Sequence, residues 1–208
     1  DYCTIKYNSS GVQQWVARYN GFNDIDQATS LAVDASGNVY ITGFSRDYGI
    51  DYATIKYNTN GVQQWLQRFD GGSTDQANCI KLDAAGNVYV TGWGYYFGED
   101  YVTIKYNNSG VQQWLKRYDF GLGSGTQTDK ATSLAVDTSG NVYVTGRSYG
   151  GTTNYDYATL KYNTAGIQQW VVRYTSTGSY ADEASAIAVD ASGNVYVTGT
   201  SALDFATV

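Results

Sequence analysis

Charged residues recur at matching positions along this chain. A lysine, an arginine and an aspartate each return four times: Lys6, Lys56, Lys105 and Lys161; Arg18, Arg68, Arg117 and Arg173; and Asp26, Asp75, Asp129 and Asp182. Cations repeated around a channel could bind an anion. Because buried charges need partners, we expect instead one structural set of ion pairs or hydrogen bonds in each repeat.

Several catalytic chemistries lack the residues that they need. The chain has no histidine and two cysteines, which excludes a Ser-His-Asp triad, a histidine base and a four-cysteine metal site. Glu99 and Glu183 are the only glutamates, and their spacing does not pair them as the carboxylates of a glycan-cleaving enzyme. We therefore predict no enzymatic activity, no catalytic residue and no cofactor.

An aspartate also begins four similar turns of the form Asp-x-x-Gly-Asn. These aspartates are Asp34, Asp83, Asp137 and Asp190. Their carboxylates suggest calcium, but the ladder of aspartates and the distal glutamate of an EF-hand loop are missing. Asp, Gly and Asn are ordinary residues of tight turns, so we expect hairpin turns without a metal.

These residues belong to a sequence repeat of about fifty residues. Copies open on a motif such as Asp-Tyr-Ala-Thr-Ile-Lys-Tyr-Asn and cover residues 1–50, 51–99, 100–155 and 156–203, with a partial copy at 204–208. Each full copy continues with Gly-Val/Ile-Gln-Gln-Trp, an alanine-rich segment and Gly-Asn-Val-Tyr-Val/Ile-Thr-Gly. Residues 1–208 are therefore predicted to form one repeat region.

Each copy contains four runs that favour β-strands, separated by turn residues. In the second copy they are 52–58, 62–69, 77–83 and 88–92. One small four-stranded sheet cannot bury both of its faces alone, so the copies must stack. This predicts an all-β fold, a β-propeller of four-stranded antiparallel blades, either as a four-bladed ring or as part of a larger propeller or array. A parallel β-helix is the alternative, although its coils are much shorter.

Aromatic residues divide into a regular set and a variable set. Trp15, Trp65, Trp114 and Trp170 hold one position in every copy, which predicts packing between blades. The variable loops carry Arg46, Tyr48, Trp93, Tyr95, Tyr96, Arg147 and Tyr149. We predict a binding face at these loops, with ordinary exposed loops as the alternative. Cys3 and Cys79 replace small residues of other copies, so both are expected to be buried and unbonded.

The repeated motifs resemble the bacterial SBBP (seven-bladed β-propeller) repeat family. The resemblance rests on Asp-Tyr-Ala-Thr-Ile-Lys-Tyr-Asn, Gly-x-x-x-Trp and Val-Asp-x-x-Gly-Asn-Val-Tyr-Val-Thr-Gly, and covers essentially the whole chain. A weaker likeness runs to NHL-type repeats through 31–40. The family implies a secreted or cell-surface bacterial protein and no known enzymatic activity. It also implies that the alanine-rich run is the innermost strand, followed outward by 39–43, 51–58 and 62–69.

That strand order puts the copies out of phase with the blades. Residues 1–19 would be the two outer strands of one blade, and 184–208 the inner strands of another. They could close a four-bladed ring, but 204–208 would compete with 1–6 for the same place. We therefore expect a piece of a longer array, or blades completed between chains.

The expected function is a non-catalytic extracellular or cell-surface scaffold that acts as a structural or self-assembling protein, with filaments as one form of assembly. A carbohydrate- or protein-binding adhesion module that uses the variable loops is the alternative. Expected partners are other copies of the chain or neighbouring repeats, with glycans or surface proteins as further candidates. The net charge of -6, with only 13 lysines and arginines, argues against nucleic acid as a partner. The absence of a long apolar run argues against membrane insertion.

Overall fold

The computed structural model describes the chain except for residues 22–24, 97, 122–127, 152–153, 178–179, 202–203 and 208. For residues 204–207 it describes only the backbone. The strands are β1 (Tyr2–Tyr7), β2 (Gln13–Tyr19), β3 (Asp26–Val33), β4 (Val39–Arg46), β5 (Ile50–Tyr57), β6 (Gln63–Phe69), β7 (Asp75–Leu82), β8 (Val88–Tyr95), β9 (Glu99–Tyr106), β10 (Gln112–Tyr118), β11 (Asp129–Val136), β12 (Val142–Tyr149), β13 (Tyr155–Tyr162), β14 (Gln168–Tyr174), β15 (Glu183–Val189), β16 (Val195–Ser201) and β17 (Asp204–Thr207).

The strands form a row of small antiparallel sheets, which confirms the predicted all-β propeller architecture. Three sheets have four strands in chain order: β3–β6, the first full blade; β7–β10, the middle blade; and β11–β14, the last full blade. β1 and β2 form a two-stranded sheet before them, and β15, β16 and β17 form a three-stranded sheet after them. Each full blade therefore takes its inner strands from one repeat and its outer strands from the next.

Hairpin turns join the strands, and their side chains satisfy the turn backbone. Asp34 Oδ1 accepts hydrogen bonds from the backbone N–H groups of Ser36 and Asn38, each at 2.9 Å. Its Oδ2 accepts from Asn38 Nδ2 at 2.8 Å and from the Tyr40 hydroxyl at 3.1 Å. Burial alone would raise the pKa of Asp34, but these hydrogen bonds outweigh it and lower the pKa. Both carboxylate oxygens are thus already used by the turn.

The same side-chain donors bind the next blade at successive junctions. The phenolic hydroxyl groups of Tyr2, Tyr52 and Tyr101 donate to the carbonyls of Ala53, Val102 and Ala158, at 3.1, 3.3 and 3.2 Å. The indole N–H groups of Trp15, Trp65 and Trp114 donate to the carbonyls of Thr59, Asn108 and Thr164, at 2.9, 3.0 and 3.1 Å. Lys6, Lys56 and Lys105 donate to the same three carbonyls. Each blade therefore supplies the acceptors that its neighbour's aromatic donors need.

The core lies between the sheets and not within any one of them. In the middle blade, Val90 and Ile104 are buried on one face, and Tyr89 and Tyr101 are buried on the other. Such burial on both sides of a thin sheet requires a neighbouring sheet on each side.

The two cysteines differ in their burial. Cys79 is 8% exposed, whereas Cys3 is exposed, so the prediction that both are buried is wrong for Cys3. Its counterparts Ala53, Val102 and Ala158 are buried against the preceding sheet. The sheet that contains Cys3 is the first of the row, so the described residues place no sheet before it. Both cysteines are free. The described part of the chain contains no helix with the length and apolarity that a membrane crossing needs.

Trp114 offers a test of this packing. It is 9% exposed and reaches the turn of the next blade. We expect Trp114→Ala to lower the free energy of unfolding by about 3–5 kcal/mol, as a large-to-small change in a core. Val111→Ala, at a position that is 57% exposed, should change it by less than about 0.5 kcal/mol. Denaturant melts measure both, and a loss below about 1 kcal/mol for Trp114→Ala would contradict inter-blade packing.

Candidate functional site

A polar row crosses each full blade near one end of its strands. In the first full blade, Asp26, Ser45 and Asp51 are paired across β3, β4 and β5. Directly opposed residues of adjacent strands point to the same face of a sheet. A serine therefore stands between two carboxylates, and the last full blade repeats this row with Asp129, Ser148 and Asp156.

An arginine from the outermost strand binds the serine and the third-strand aspartate of this row. Arg68 Nη1 donates to Ser45 Oγ at 2.8 Å and to the hydroxyl of Tyr19, from the preceding sheet, at 3.1 Å. Its Nη2 donates to the Ser45 carbonyl at 3.2 Å and to Asp51 Oδ2 at 2.8 Å. Burial opposes the positive charge, but the hydrogen bonds to Asp51 and Tyr19 outweigh it and raise the pKa of Arg68.

The last full blade makes the same set of bonds. Arg173 Nη1 donates to Ser148 Oγ at 2.5 Å and to the Tyr118 hydroxyl at 3.4 Å. Its Nη2 donates to the Ser148 carbonyl and to Asp156 Oδ2, each at 2.9 Å. The predicted structural set of ion pairs is therefore present in these two blades. The arginines pair with the aspartate of the third strand, and not with the recurring Asp26 and Asp129.

Where the first full blade meets the middle blade, both hydroxyl groups that bind this arginine at the other junctions are missing. Gly94 stands where Ser45 and Ser148 stand, and Phe69 stands where Tyr19 and Tyr118 stand. The arginine is still present, as Arg117, but its buried Nη1 has no hydrogen-bond partner. Its guanidinium carbon lies 5.5 Å from the ring centre of Phe69 and 5.3 Å from that of Tyr96. Two coordinated changes thus leave a buried cationic donor without an acceptor.

Asp75 occupies part of the space that the missing serine leaves. It is fully buried, and its Oδ1 lies 2.2 Å from the position that a Cβ atom at Gly94 would take. Asp75 Oδ2 accepts from the backbone N–H of Gly71, whereas Oδ1 has no partner. Burial raises the pKa of Asp75 to about 6, against the opposing effects of the Gly71 N–H and the Arg117 charge.

Asp100 is the second carboxylate beside Gly94. It is paired with Gly94 across β9 and β8, so Asp75 and Asp100 flank the glycine on one face of the sheet. Burial and the charge of Asp119 raise the pKa of Asp100 to about 6, although Arg117 opposes the shift. We call the group formed by Phe69, Gly71, Asp75, Gly94, Asp100 and Arg117 the Arg117 junction.

Gly71 packs closely against the Arg117 junction. A Cβ atom at this partly exposed glycine would lie 2.5 Å from Asp75 Oδ1 and 2.9 Å from Arg117 Nη2. At the first junction, a Cβ at the equivalent Gly21 would lie 2.4 Å from Ser45 Oγ and 3.4 Å from the Tyr19 hydroxyl. The same space therefore holds protein hydroxyl groups at one junction and only the carboxylate and the guanidinium at the other.

The carboxylates near this junction could also hold a metal ion. One oxygen each of Asp51, Asp70 and Asp75 lies within 4.8 Å of the others. Asp51, however, already forms an ion pair with Arg68 at 2.8 Å. A guanidinium on one of three ligands disfavours a second cation, so this set fits a metal poorly.

Most of the variable-loop residues that the sequence singles out lie away from this junction. Lys130 Nζ lies 3.9 Å above the ring of Trp93, and Arg147 pairs with Glu183 at 2.6 Å. Tyr149 packs on Tyr155. The remaining residues, Arg46, Tyr48 and Tyr95, are exposed. Of the predicted set, Tyr96 is the residue that contacts the junction, through its ring beside Arg117.

The four recurring tryptophans hold equivalent positions in the row of sheets. Trp15, Trp65 and Trp114 bond to the next blade as described above. Trp170 packs on Tyr143, with ring centres 6.0 Å apart. The two glutamates that the sequence offers as candidate carboxylates both form ion pairs. Glu99 pairs with Lys130 at 2.9 Å, and Glu183 pairs with Arg147.

Gly94, Phe69, Asp75 and Asp100 were not predicted as site residues. The pattern that could have revealed them is a pair of exceptions: glycine for serine in one column of the repeat, and phenylalanine for tyrosine in another. Each exception alone is an ordinary substitution. Together they remove both neutral partners of one buried arginine.

Comparing Arg173 with Arg117 tests this difference. Arg173→Met leaves Asp156 buried without its ion pair, so we expect a loss of about 3 kcal/mol or more in the free energy of unfolding. Arg117→Met removes no hydrogen bond among the described residues, so the expected loss is less than about 1 kcal/mol. Denaturant melts of the two variants under one buffer measure the difference. Equal losses would show that Arg117 has structural partners after all.

Comparisons with known proteins identify the repeat and the fold. The SBBP family, described as a beta-propeller repeat, matches residues 14–45, 114–156 and 169–205. No curated protein matches the chain. A gluconolactonase from Xanthomonas campestris is similar in structure, with a TM-score of 0.50 and 15% sequence identity over 94% of this chain. A periplasmic gluconolactonase from Pseudomonas aeruginosa has a TM-score of 0.46 and 10% identity over 95% of this chain and 72% of its own.

This chain spans 61% of the length of the Xanthomonas gluconolactonase. The sequence-based prediction of a non-catalytic scaffold, with adhesion as its alternative, is wrong, because a similar solved structure with this fold is an enzyme. The copies differ from one another at the Arg117 junction, where two substitutions distinguish one junction from its neighbours. At this identity the likeness establishes the fold alone, and the family match covers more than half of the residues. The chain belongs to the SBBP family of β-propeller repeat proteins.

Proposed function

We propose that this protein is a hydrolase that opens a cyclic ester at the Arg117 junction. The observation that supports the proposal is a half-buried arginine, whose buried Nη1 is an unused donor, beside two carboxyl groups, each with a pKa raised to about 6. Groups with such pKa values exchange protons efficiently near neutral pH. The reaction class comes from the gluconolactonases to which the fold is similar.

The proposed reaction divides the work among three side chains. A water oxygen attacks the carbonyl carbon of the lactone, and the carboxylate of Asp75 takes the proton that the water loses. Arg117 Nη1 donates to the oxygen that becomes negatively charged. As the ring C–O bond breaks, the protonated carboxyl of Asp100 gives its proton to the departing ring oxygen. The product is an open-chain hydroxy acid, and the two carboxyl groups recover their starting states by proton exchange with water.

The sheet fixes these groups before a substrate arrives. Asp75, Gly94 and Asp100 lie opposite one another on three adjacent strands, and Arg117 comes from the fourth. Adjacent strands lie about 4.8 Å apart, so the two carboxylates stand on either side of the glycine without competing for one position. Positioning of this kind lowers a barrier because the protein need not reorganise during the reaction.

Hydrolysis of glucono-δ-lactone tests the proposal. We expect the wild-type chain to accelerate the reaction above the buffer rate, and Asp75→Asn to lower that acceleration by about a hundredfold or more, as expected for loss of a general base. Asp26→Asn, at the equivalent position of the first full blade, is the matched control and should keep the rate. A wild-type rate equal to that of buffer, or equal rates in the two variants, would rule the proposal out.

The pH dependence gives a second test. Asp75 must be ionised and Asp100 protonated, and both pKa values lie at about 6. The catalysed rate should therefore rise to a maximum near this pH and fall on both sides of it. The measurement is the rate after subtraction of spontaneous hydrolysis at each pH. A rate that rises continuously through neutral pH would contradict the role assigned to Asp100.

A further inference from the structure

We propose that the first sheet of one copy of this chain docks on the last sheet of a second copy, so that the two form one complete blade. By their sequence, β1 and β2 are the third and fourth strands of a blade, whereas β15, β16 and β17 are the first, second and third. We call β1 and β2, with the turn between them, the outer hairpin. The inference concerns how a blade is completed between chains and is independent of the reaction proposed at the Arg117 junction.

The outer hairpin exposes side chains that are buried at the equivalent positions of all three full blades. Ile5 is 41% exposed and Tyr7 is 56% exposed. Their equivalents are at most 3% exposed: Ile55, Tyr57, Ile104, Tyr106, Leu160 and Tyr162. Val12 on the same hairpin is also exposed, but so are its equivalents, Val62, Val111 and Ile167. Exposure at Ile5 and Tyr7 therefore marks a missing neighbouring sheet, whereas exposure at Val12 is ordinary surface.

The last sheet borders an apolar cavity of about 190 Å³. Trp170 of the last full blade lines it together with Val195 and Val197 of β16. At the other three junctions, the equivalent tryptophan packs on a tyrosine of the next blade: Trp15 on Tyr57, Trp65 on Tyr106 and Trp114 on Tyr162, with ring centres 6.4, 6.3 and 6.1 Å apart. Among the described residues, Trp170 packs on Tyr143 of its own blade, so this cavity lies where the tyrosine of a next blade belongs.

The outer hairpin of a second copy supplies the groups that fit this cavity. The second copy's Tyr7 is the equivalent of the tyrosines that pack on the other tryptophans, so it would lie on Trp170. Ile5 would enter the cavity beside the valines of β16. The carbonyl of Ser9 holds the position of the turn carbonyls that accept the indole bonds at the other junctions, so it would accept from the Trp170 indole.

The polar row of the blades is divided between the same two surfaces. Arg18 of the outer hairpin is exposed, whereas its equivalents Arg68 and Arg173 are partly buried. Ser201 and Tyr174 hold the positions of the serine and the tyrosine that bind those arginines. A docked Arg18 would therefore donate to both hydroxyl groups, and the composite blade would contain the same polar set as the first and last full blades.

The docking also covers an exposed face of the first full blade. Leu31 is 61% exposed and lines a cavity of about 480 Å³ next to β1. Tyr196 of the last sheet is 51% exposed. Their equivalents share buried clusters within the row: Ile80 with Tyr40, and Leu134 with Tyr89. In the composite blade, the second strand from one copy would place Tyr196 over Leu31 of the other.

A second copy is the source of the hairpin because the two surfaces lie at opposite ends of the row. Three full blades separate the first sheet from the last, so one chain does not bring them together. A second copy supplies the hairpin without any change in how the blades stack. The contact is head-to-tail, so further copies either close a ring or extend the row.

Docking requires β17 to leave the edge of β16. β17 pairs with β16 only over Thr198–Ser201, whereas the second and third strands of the first full blade pair from Val39 to Arg46. The outer hairpin brings a strand of 6 residues in place of one of 4, and it brings a fourth strand as well. The exchange therefore adds strand pairing and buries Ile5 and Tyr7.

A disulfide between copies tests the register. Threonine hydroxyl groups face one another across the second and third strands of each full blade, at 2.9, 2.9 and 3.0 Å. Thr198 and the second copy's Thr4 are the equivalent pair, so cysteines at these positions meet the distance that a disulfide needs. We expect Thr4→Cys/Thr198→Cys, in a Cys3→Ala background, to form disulfide-linked dimers or larger species on non-reducing gels. Thr198→Cys/Thr207→Cys is the control, because it links β17 to β16 within one chain and should stay monomeric.

Sedimentation equilibrium tests the contact without a cross-link. We expect the wild-type chain to associate as its concentration rises. Ile5→Asp should raise the dissociation constant at least about tenfold, because it places a charge in an apolar cavity. Val12→Asp is the matched control on the same hairpin and should associate like wild type. Thermal melts check that both variants fold.

The wild type remaining monomeric at every concentration overturns the inference, as do equal effects of Ile5→Asp and Val12→Asp. A disulfide that forms within one chain of Thr4→Cys/Thr198→Cys also overturns it, in favour of closure by the same copy. Association that persists when Thr198→Cys/Thr207→Cys is oxidised shows that β17 need not leave, and it likewise rules out the composite blade.

Discussion

In the described part of the chain, the first three sheets each depend on the next sheet for the hydrogen bonds of their buried aromatic side chains. A tyrosine hydroxyl or a tryptophan N–H buried without an acceptor costs about 1–3 kcal/mol. Tyr52 and Trp65 find their acceptors on the backbone of the next blade, at Val102 and Asn108. The acceptors are carbonyls, whose positions the strand and turn already fix. Stacking is therefore directional, and one blade specifies how the next one docks.

The same dependence explains how a site can arise in an otherwise regular array. Arg68 and Arg173 are satisfied by hydroxyl groups from two different sheets. At the junction where those groups are missing, the four strands and the arginine keep their places. What remains at Arg117 is a preformed set of charged groups whose partners are missing. Such a set costs stability, and sites of this kind persist where a ligand or a reaction uses them.

Much of the fold could be predicted from the sequence, because each strand and turn is repeated with its own residues. The recurring Trp65 and its equivalents, the glycine turns and the alanine-rich runs determine strand order and stacking. The exposure of Cys3 could not be predicted from its column, since it depends on the place of its sheet in the row. The Arg117 junction was missed for a related reason. Gly94 and Phe69 belong to one sequence copy but to neighbouring blades, so their proximity is a property of the stack and not of the repeat.

Nearest-neighbour contacts also determine how such a stack comes apart. In a linear array, the stability of the whole is close to a sum over units and the interfaces between them. Of the two hydroxyl bonds that Arg68 makes, the one to Tyr19 crosses between sheets and the one to Ser45 stays within its blade. The interface at Arg117 lacks the crossing bond, which weakens it against separation of adjacent blades. Partial unfolding would then separate the blades at the proposed site. A ligand bound there would stabilise this interface and restore cooperative unfolding along the row.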